Sequence, residues 1–573
     1  MIRERINGAL HGAIYNINAA ALLLGAASLL SRILGILRDR MLAARFGAGR
    51  ELDIYYAAFQ IPDFMFNVFL LGAASAAIIP VFLEIRKKDD QASKLLISHL
   101  LKFFLVAAVT VSVLIALAMP WLMQYVTPGF SGSERDMATT LGRIMMLSPL
   151  FLGLSSIVSA VVQSFRKFFV FALSPIFYNL GIIFGIFVFL PALGLPGLAG
   201  GVILGAILHL LVQFSSFKNM GFKIFMSPVE GGQRFFKLSA PLKKILKLSL
   251  PRVIAASINN LTAVVLVALA STLVVGSITV FEFANNLAGL PIGIFGVSFA
   301  VAAFPSLSES FLKKDLRNFT ETFYESLHSV LFWMLPASVL FYVLRAQIVR
   351  VTLGAGSFDW VDTRLTTATL GILTVFMAAN SLVPLLLRAF YALEDTKKPL
   401  FINVVAAFLT VIFSLFFIGV MKSSNFFSDF LVNILRVIDV RQVPVLGIAL
   451  GVSLGSLFNL AWLVRGVKQS IRLKFGIDTI TLGESVWGQA LKMFVAAILG
   501  GIAAFWILRL VNLFVTLETF LGVLTQGFFA LAAGLVIYGV ILYILGNKEI
   551  IRVMEVIKKN MLRLKVLPKE LGE

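Results

Sequence analysis

Apolar runs long enough to cross a lipid bilayer recur from one end of this 573-residue sequence to the other. A run of about 18 residues or more with few charges marks a spanning helix. Such runs can be read near 17–45, 52–84, 96–119, 137–163, 169–190 and 195–217, and again near 241–274, 280–310, 322–346, 365–392, 399–420, 444–466, 488–512 and 519–545. Backbone polar groups in hydrocarbon have to be satisfied within the span, which favours helices. The expected fold class is therefore all-α, a polytopic membrane protein of about 14 transmembrane helices. Long spans with internal proline, such as Pro62 and Pro291, predict bent helices around a cavity. Composition agrees: 59% of residues are hydrophobic and 14% charged, where a soluble domain is nearer about half apolar and a quarter charged.

Several classes are set aside. Arg3 and Arg5 precede the first run, but no small-residue cleavage site follows, so no cleavable signal is expected. The absence of cysteine excludes disulfides, thiolate metal sites and lipidation at cysteine. A net charge of +20 fits an excess of Lys and Arg in cytoplasmic loops better than a nucleic-acid partner.

Those basic residues fix an expected orientation. Arg86, Lys87, Lys88 and Lys94 follow span two, Arg166 and Lys167 follow span four, and a basic link joins spans six and seven. Lys313, Lys314 and Arg317 follow span eight, Lys397 and Lys398 follow span ten, and Arg465, Lys468, Arg472 and Lys474 follow span twelve. The alternate loops around Pro191–Pro196, Val275–Ser277 and Asn512–Glu518 hold no Lys or Arg. Both termini are thus expected in the cytoplasm.

One loop breaks the pattern. The stretch LLSRILGILRDRMLAARFGAGRELD, from Leu29 to Asp53, places Arg32, Arg38, Asp39, Arg40, Arg45 and Arg50 in or after the first span, on its expected outer side. A charge near the middle of a bilayer costs ~2.5–3.5 kcal/mol and normally faces a protein interior or a water-filled path. Arg40, Arg45 and Arg50 are expected to snorkel to the interface. Arg32, deeper in the run, is expected to face a cavity, and Arg38 stands between the two readings. Ser31 and Arg38 share a helix face, as do Arg32 and Asp39, each pair seven residues apart.

Ala58, Pro80 and Glu84 in span two echo Ala284, Pro305 and Glu309 in span eight. Two six-helix halves, 1–220 and 221–470, followed by two extra transmembrane helices and a basic tail in 471–573, would make those spans equivalent. Repeats of this kind are typical of alternating-access transporters.

Gly451-Val-Ser453-Leu-Gly455 matches the G-x-S-x-G pattern of serine hydrolases, but that motif needs a strand-to-helix turn. Inside an apolar helical run, with Gly447 one turn earlier, small-residue helix packing explains it better. The four histidines show no metal-ligand spacing, and no phosphate-binding glycine loop with Lys and Ser/Thr occurs. No catalytic residue, metal or cofactor is expected. Residues 425–440 suit an amphipathic helix at the outer interface.

The motif Ser31-Arg32-x-Leu34-Gly35-x-x-Arg38-Asp39, followed by Phe46-Gly47-Ala48-Gly49, Asp53, Ala58-Phe59 and Pro62, closely resembles the start of the MurJ (MviN) family of lipid II flippases. GIFGVSFAVAAFPSLSES from Gly293, RAFYALEDTKKP from Arg388 and GIALGVSLGSLFN from Gly447 resemble later family segments, in family order. The family belongs to the superfamily of polysaccharide exporters and multidrug antiporters. The resemblance implies carriage of undecaprenyl-pyrophosphate-linked disaccharide-pentapeptide (lipid II) across the bacterial cytoplasmic membrane. It implies a cationic central cavity for the pyrophosphate and a groove along the last two helices for the lipid tail. Ser31, Arg32, Arg38, Asp39 and Asp53 match family positions and are the candidate substrate-binding residues.

Departures qualify the site. Asn67 and Asn286 stand where the family usually has arginine; they are carried as candidates because an amide still hydrogen-bonds phosphate or sugar. Leu266, Thr410 and Ser414 stand where some members have sodium-site carboxylates. The expected partners are the lipid-linked glycan, the bilayer and cell-wall synthesis enzymes. The alternatives are a flippase for another polyprenyl-phosphate-linked glycan and a non-transporting cell-wall scaffold.

Overall fold

The computed structural model describes residues 17–72, 75–222, 257–438, 440, 443–476 and 484–555. Most of the basic link between spans six and seven, and the basic tail from residue 556, lie outside the described residues. Among the described residues helix falls within each of the fourteen expected stretches, ten helices (eleven with one bent pair) are long and apolar enough to cross a membrane, and no strand occurs. Two compact units result, one from Met1–Thr279 with Ala355–Asp359, the other from Val280–Gly354 and Trp360–Glu573.

In the first unit, α1 (Ile17–Phe46) is followed by α2 (Arg50–Gly72) and α3 (Ser75–Arg86), which share the second expected span. Then come α4 (Asp90–Val126), α5 (Gly132–Ser164), α6 (Phe168–Leu193), α7 (Leu195–Asn219) and α8 (Ser257–Ser271). The Asp89 carboxylate caps α4 by accepting from the Gln91 and Ala92 amides, which satisfies donors a helix start leaves open. The core joins Phe82 of α3, Ile97 and Leu101 of α4, Ile157 and Val161 of α5, and Phe217 and Phe222. Helices α6 and α7 cross at glycine: a Cβ on Gly181 would run into Gly205, and one on Gly185 into Gly201. Small residues let two backbones approach where side chains could not fit.

The second unit takes up the body of α9 (Ser277–Leu312), then α10 (Leu316–Val343) and α11 (Arg345–Thr352). It continues with α12 (Trp360–Val375), α13 (Met377–Ala392), α14 (Lys397–Lys422), α15 (Phe426–Leu435), α16 (Val445–Phe475), α17 (Glu484–Val511) and α18 (Phe520–Ile544). The irregularity expected at Pro291 takes the form of a π turn over Ile292–Gly296, directly after the proline. Helices α12 and α13 form one broken span, bent by 49°.

The G-x-S-x-G stretch is a packing seam on α16. A Cβ on Gly447, Gly451 or Gly455 would collide with Ile418, Ser414 or Thr410 of α14. Ser453 is buried, with its hydroxyl 3.4 Å from the Ile372 carbonyl. Thr410 and Ser414 donate to the carbonyls of Ala406 and Thr410, both at 2.8 Å, so their hydroxyls serve their own helix. Of the stretch expected to form an interfacial helix, Phe426–Leu435 is helical, with Phe426, Phe430 and Ile434 exposed.

Candidate substrate site

Helix α1 packs along α6 through one polar stripe. Ser31, Gly35 and Arg38 recur at the i, i+4, i+7 spacing that places residues on one helix face. Opposite them stands Asn179 of α6, buried to 8% exposure. Its amide nitrogen donates to the Ser31 carbonyl and hydroxyl, both at 3.2 Å, and to the Pro175 carbonyl at 3.1 Å. Its amide oxygen accepts from Arg38 Nη1 at 3.2 Å. Gly35 lies on the same stripe, and a Cβ there would make an ordinary 3.9 Å contact with the Asn179 oxygen.

Arg38 also donates from Nε and Nη2 to the same Asp39 oxygen, at 2.9 and 2.8 Å. Of the five N–H donors a guanidinium carries, these bonds use three. The head group lines a cavity of about 280 Å³ together with Asp63 of α2, Ser148 of α5, Tyr178 of α6 and His209 of α7. Phe59, Phe66 and Leu152 supply apolar wall, and Pro62, Pro149 and Pro175 bring three helices to it. Proline removes an intrahelical hydrogen bond and so admits a bend beside a cavity.

Behind His209 runs a chain of buried hydrogen bonds. Ser155 Oγ lies 2.8 Å from His209 Nδ1, Gln213 Nε2 donates to Ser155 Oγ at 3.0 Å, and Ser159 donates to Gln213 Oε1 at 2.6 Å. Such a chain holds the imidazole in place without a formal charge.

The expected residues therefore separate. Ser31, Arg38 and Asp39 come together around Asn179. Asn67 lies one turn behind Asp63 and donates to its carbonyl at 2.9 Å and its carboxylate at 3.3 Å. Arg32 is half-buried one position around the helix from Ser31 and does not line this cavity. Asn286 is exposed in the second unit.

Asp53 sits elsewhere, at 1% exposure. Its Oδ2 accepts from the Gly276 amide at 2.7 Å, and its Oδ1 from the Thr279 amide and hydroxyl at 2.9 and 2.8 Å. The carboxylate thus clamps the start of α2 to the turn before α9. Gly276, at φ +89, packs on Ala48 with no room for a Cβ. The Phe46–Gly49 motif is the other side of this clamp. Arg50, expected to snorkel, instead pairs with Glu134 at 2.9 Å, because the α5 N-terminus supplies a carboxylate within reach.

Sequence reasoning missed Asp63, Asn179 and His209. Each is an isolated polar residue in an apolar run, and that isolation is the available signal for a functional position in a membrane helix.

A helical membrane bundle with an arginine in the wall of an internal cavity defines an integral-membrane carrier. The chain belongs to the lipid II flippase MurJ family, whose model matches residues 42–525. That family comprises transporters, not enzymes, and makes this a multi-pass bacterial membrane protein. It is 29% identical over 385 residues to a probable lipid II flippase MurJ of Rhizobium tropici, covering 66% of this chain and 71% of that one. The fold is similar to that of a lipid II flippase MurJ in an inward closed conformation, with TM-score 0.69 and 23% identity over 91% of this chain and 99% of that one. It is also similar to an inward-facing multidrug resistance transporter of the MATE family, with TM-score 0.62 and 16% identity over 78% of this chain and 96% of that one.

Proposed function

We propose that this protein is a flippase that carries lipid II, the polyprenyl-pyrophosphate-linked peptidoglycan precursor, from the inner to the outer leaflet by alternating access. The observation that carries this reading is Arg38 in the wall of the first unit's cavity, in a chain of this family. A guanidinium stays charged at physiological pH and offers planar pairs of donors to phosphate oxygens. Asp39 holds Arg38 at the cavity wall, and a diphosphate binds by exchanging with that carboxylate. Asn179 keeps the guanidinium in place during the exchange, and Ser31 keeps Asn179 in place. About 280 Å³ suits the diphosphate and the edge of one sugar, so the rest of the head group lies beyond this cavity. Arg32, Asn67 and Asn286 belong to the wider substrate path in this proposal, and Asp53 acts as the clamp that holds the first unit's loops.

The proposal includes cytoplasmic termini, from the loop charges, and pseudo-repeated halves at 1–220 and 221–470, with 471–573 as an addition that receives the lipid tail. Cell-wall synthesis enzymes are the proposed protein partners.

A specific observation favours a second reading, a flippase for another polyprenyl-phosphate-linked glycan. Asp63 adds a carboxylate to the cavity wall, and the family's usual arginines are asparagine at Asn67 and Asn286. The test is rescue of a bacterium depleted of its own lipid II flippase by wild type, Arg38→Ala and Arg32→Ala at equal expression, with outer-leaflet lipid II scored by an external probe. Rescue by wild type but not by Arg38→Ala is expected. Absence of rescue by correctly inserted wild type would refute lipid II as substrate and leave the other glycan.

A further inference from the structure

A second cavity, of about 600 Å³, lies in the second unit between the start of α14 and the facing stretch of α16. Lys397, Lys398, Arg465 and Gln469 line its polar side, and Phe401 and Trp462 its apolar side. Volumes of this order hold small ligands or their head groups, which typically need ~300–1,000 Å³.

Two of the three cations here have no carboxylate partner among the described residues. Lys397 and Lys398 occupy the first turn of α14, which carries no acidic residue. The positive end of a helix dipole favours carboxylates at that position, so two lysines add to the local positive potential. Lys398 is fixed, donating to Ser470 Oγ at 3.1 Å with Asp395 at 3.8 Å. Asp395 is itself occupied, accepting from Ser470 at 2.8 Å and from the Lys398 amide at 3.2 Å. Among the described residues, Lys397 and Arg465 have no carboxylate within ion-pair distance. An anion of the right size would neutralise both.

The apolar side specifies what carries that anion. Phe401 is 63% exposed on α14, where the helix turns from lysine to an uncharged, mostly apolar run. Trp462 is held edge-on between Phe401 and Phe458, with ring centroids at 6.4 and 5.1 Å. A tryptophan beside basic residues at the end of an apolar span is the arrangement found at membrane–water interfaces. Phosphate on the cations and glycerol ester on the rings would satisfy both sides together.

We propose that this cavity binds the phosphate of an anionic phospholipid, with Lys397 and Arg465 as its main ligands, Lys398 as the preset third cation, and Trp462 and Phe401 against the glycerol and upper acyl chain. Basic pockets between membrane helices recognise lipid head groups by this chemistry.

The test uses the full-length protein in bilayers containing equal mole fractions of brominated phosphatidylglycerol or brominated phosphatidylcholine. Tryptophan quenching is read, and Trp462→Phe isolates the contribution of Trp462. Quenching of Trp462 several-fold stronger by brominated phosphatidylglycerol is expected, lost in Lys397→Gln/Arg465→Gln and kept in the charge-preserving Lys397→Arg/Arg465→Lys. Equal quenching by the two lipids overturns the proposal, as does a preference that survives the double glutamine variant. Abolition of the preference by inorganic phosphate in the bulk also overturns it, because the site would then belong to a soluble anion. If the glutamine variant does not insert, the wild-type comparison and the charge-preserving pair still decide.

Discussion

Arg38 and Asn179 meet at 3.2 Å although 141 residues separate them in the chain. That contact turns a costly charge on α1 into a positioned one, because the same amide is anchored to Ser31 and Pro175. A guanidinium held on two sides has its remaining donors restrained, and in the proposed mechanism this lowers the entropy lost when a phosphate binds.

Asn179→Ala should therefore impair transport more than folding. Loss of the hydrogen bond to the charged guanidinium costs about 1.5–3 kcal/mol, while the freed Arg38 head group loses its orientation. We expect a modest drop in detergent melting temperature and at least several-fold weaker rescue of a flippase-depleted strain. Asn179→Asp adds a second carboxylate to Arg38 and should be worse still. Wild-type rescue by both variants at matched expression would remove Asn179 from the mechanism.

Asp53→Asn should behave in the opposite way. One carboxylate satisfies three donors in a fully buried setting, and an amide leaves at least one poorly satisfied, at about 1–3 kcal/mol. The expected result is a clear loss of thermal stability and of inserted protein, with activity per folded molecule largely kept. If melting is unchanged while transport is lost, Asp53 belongs to the substrate path and not to the clamp.

The contrast between these two residues shows what the sequence could convey. Fourteen apolar runs dictate helices because nothing else satisfies a backbone in hydrocarbon, so helix is found at every expected position. Ser31, Arg38 and Asp39 stood out because a family motif there includes charges within an apolar run. Asn179 did not, since an asparagine in an apolar span gains its meaning only from the helix that packs on it. Arg32 and Arg38 are chemically alike in the sequence; which of them lines the cavity follows from the face that α1 turns toward α6. Asp53 was carried as a site residue because its family position matched, while its environment is set by Gly276 and Thr279, more than 200 residues away.

The glycine seam offers a check on the discarded hydrolase reading. Ser453→Ala removes only a long hydrogen bond of 3.4 Å and should leave transport and stability near wild type, within about 1 kcal/mol. Gly451→Val forces a branched side chain against Ser414 of α14, and overpacking of this kind costs about 1–3 kcal/mol or more. Reduced insertion and a lower melting temperature are expected for Gly451→Val alone. The reverse pattern, with Ser453→Ala inactive but stable, would reopen the case for a reactive serine.

Asp63 is expected to limit how anionic a substrate the cavity accepts. It shares the cavity wall with Arg38, and Arg38 is already paired with Asp39, so the described wall carries no surplus of positive charge to offer a diphosphate. Asp63→Asn removes one negative charge and keeps the side chain's size and its ability to bond Asn67. Binding of a diphosphate-bearing lipid should then tighten, on the order of tenfold, which corresponds to about 1.4 kcal/mol. The gain should shrink as ionic strength rises, since salt screens the repulsion that the substitution relieves. Titration of purified wild type and Asp63→Asn with a polyprenyl diphosphate, at low and high salt, measures both effects. Unchanged binding would mean that Asp63 does not oppose the diphosphate, and weaker binding would mean that the carboxylate contributes to recognition, by accepting from a hydroxyl or ammonium group of the head group. The latter outcome would shift weight from lipid II toward a glycan chosen by its donors and not only by its phosphates.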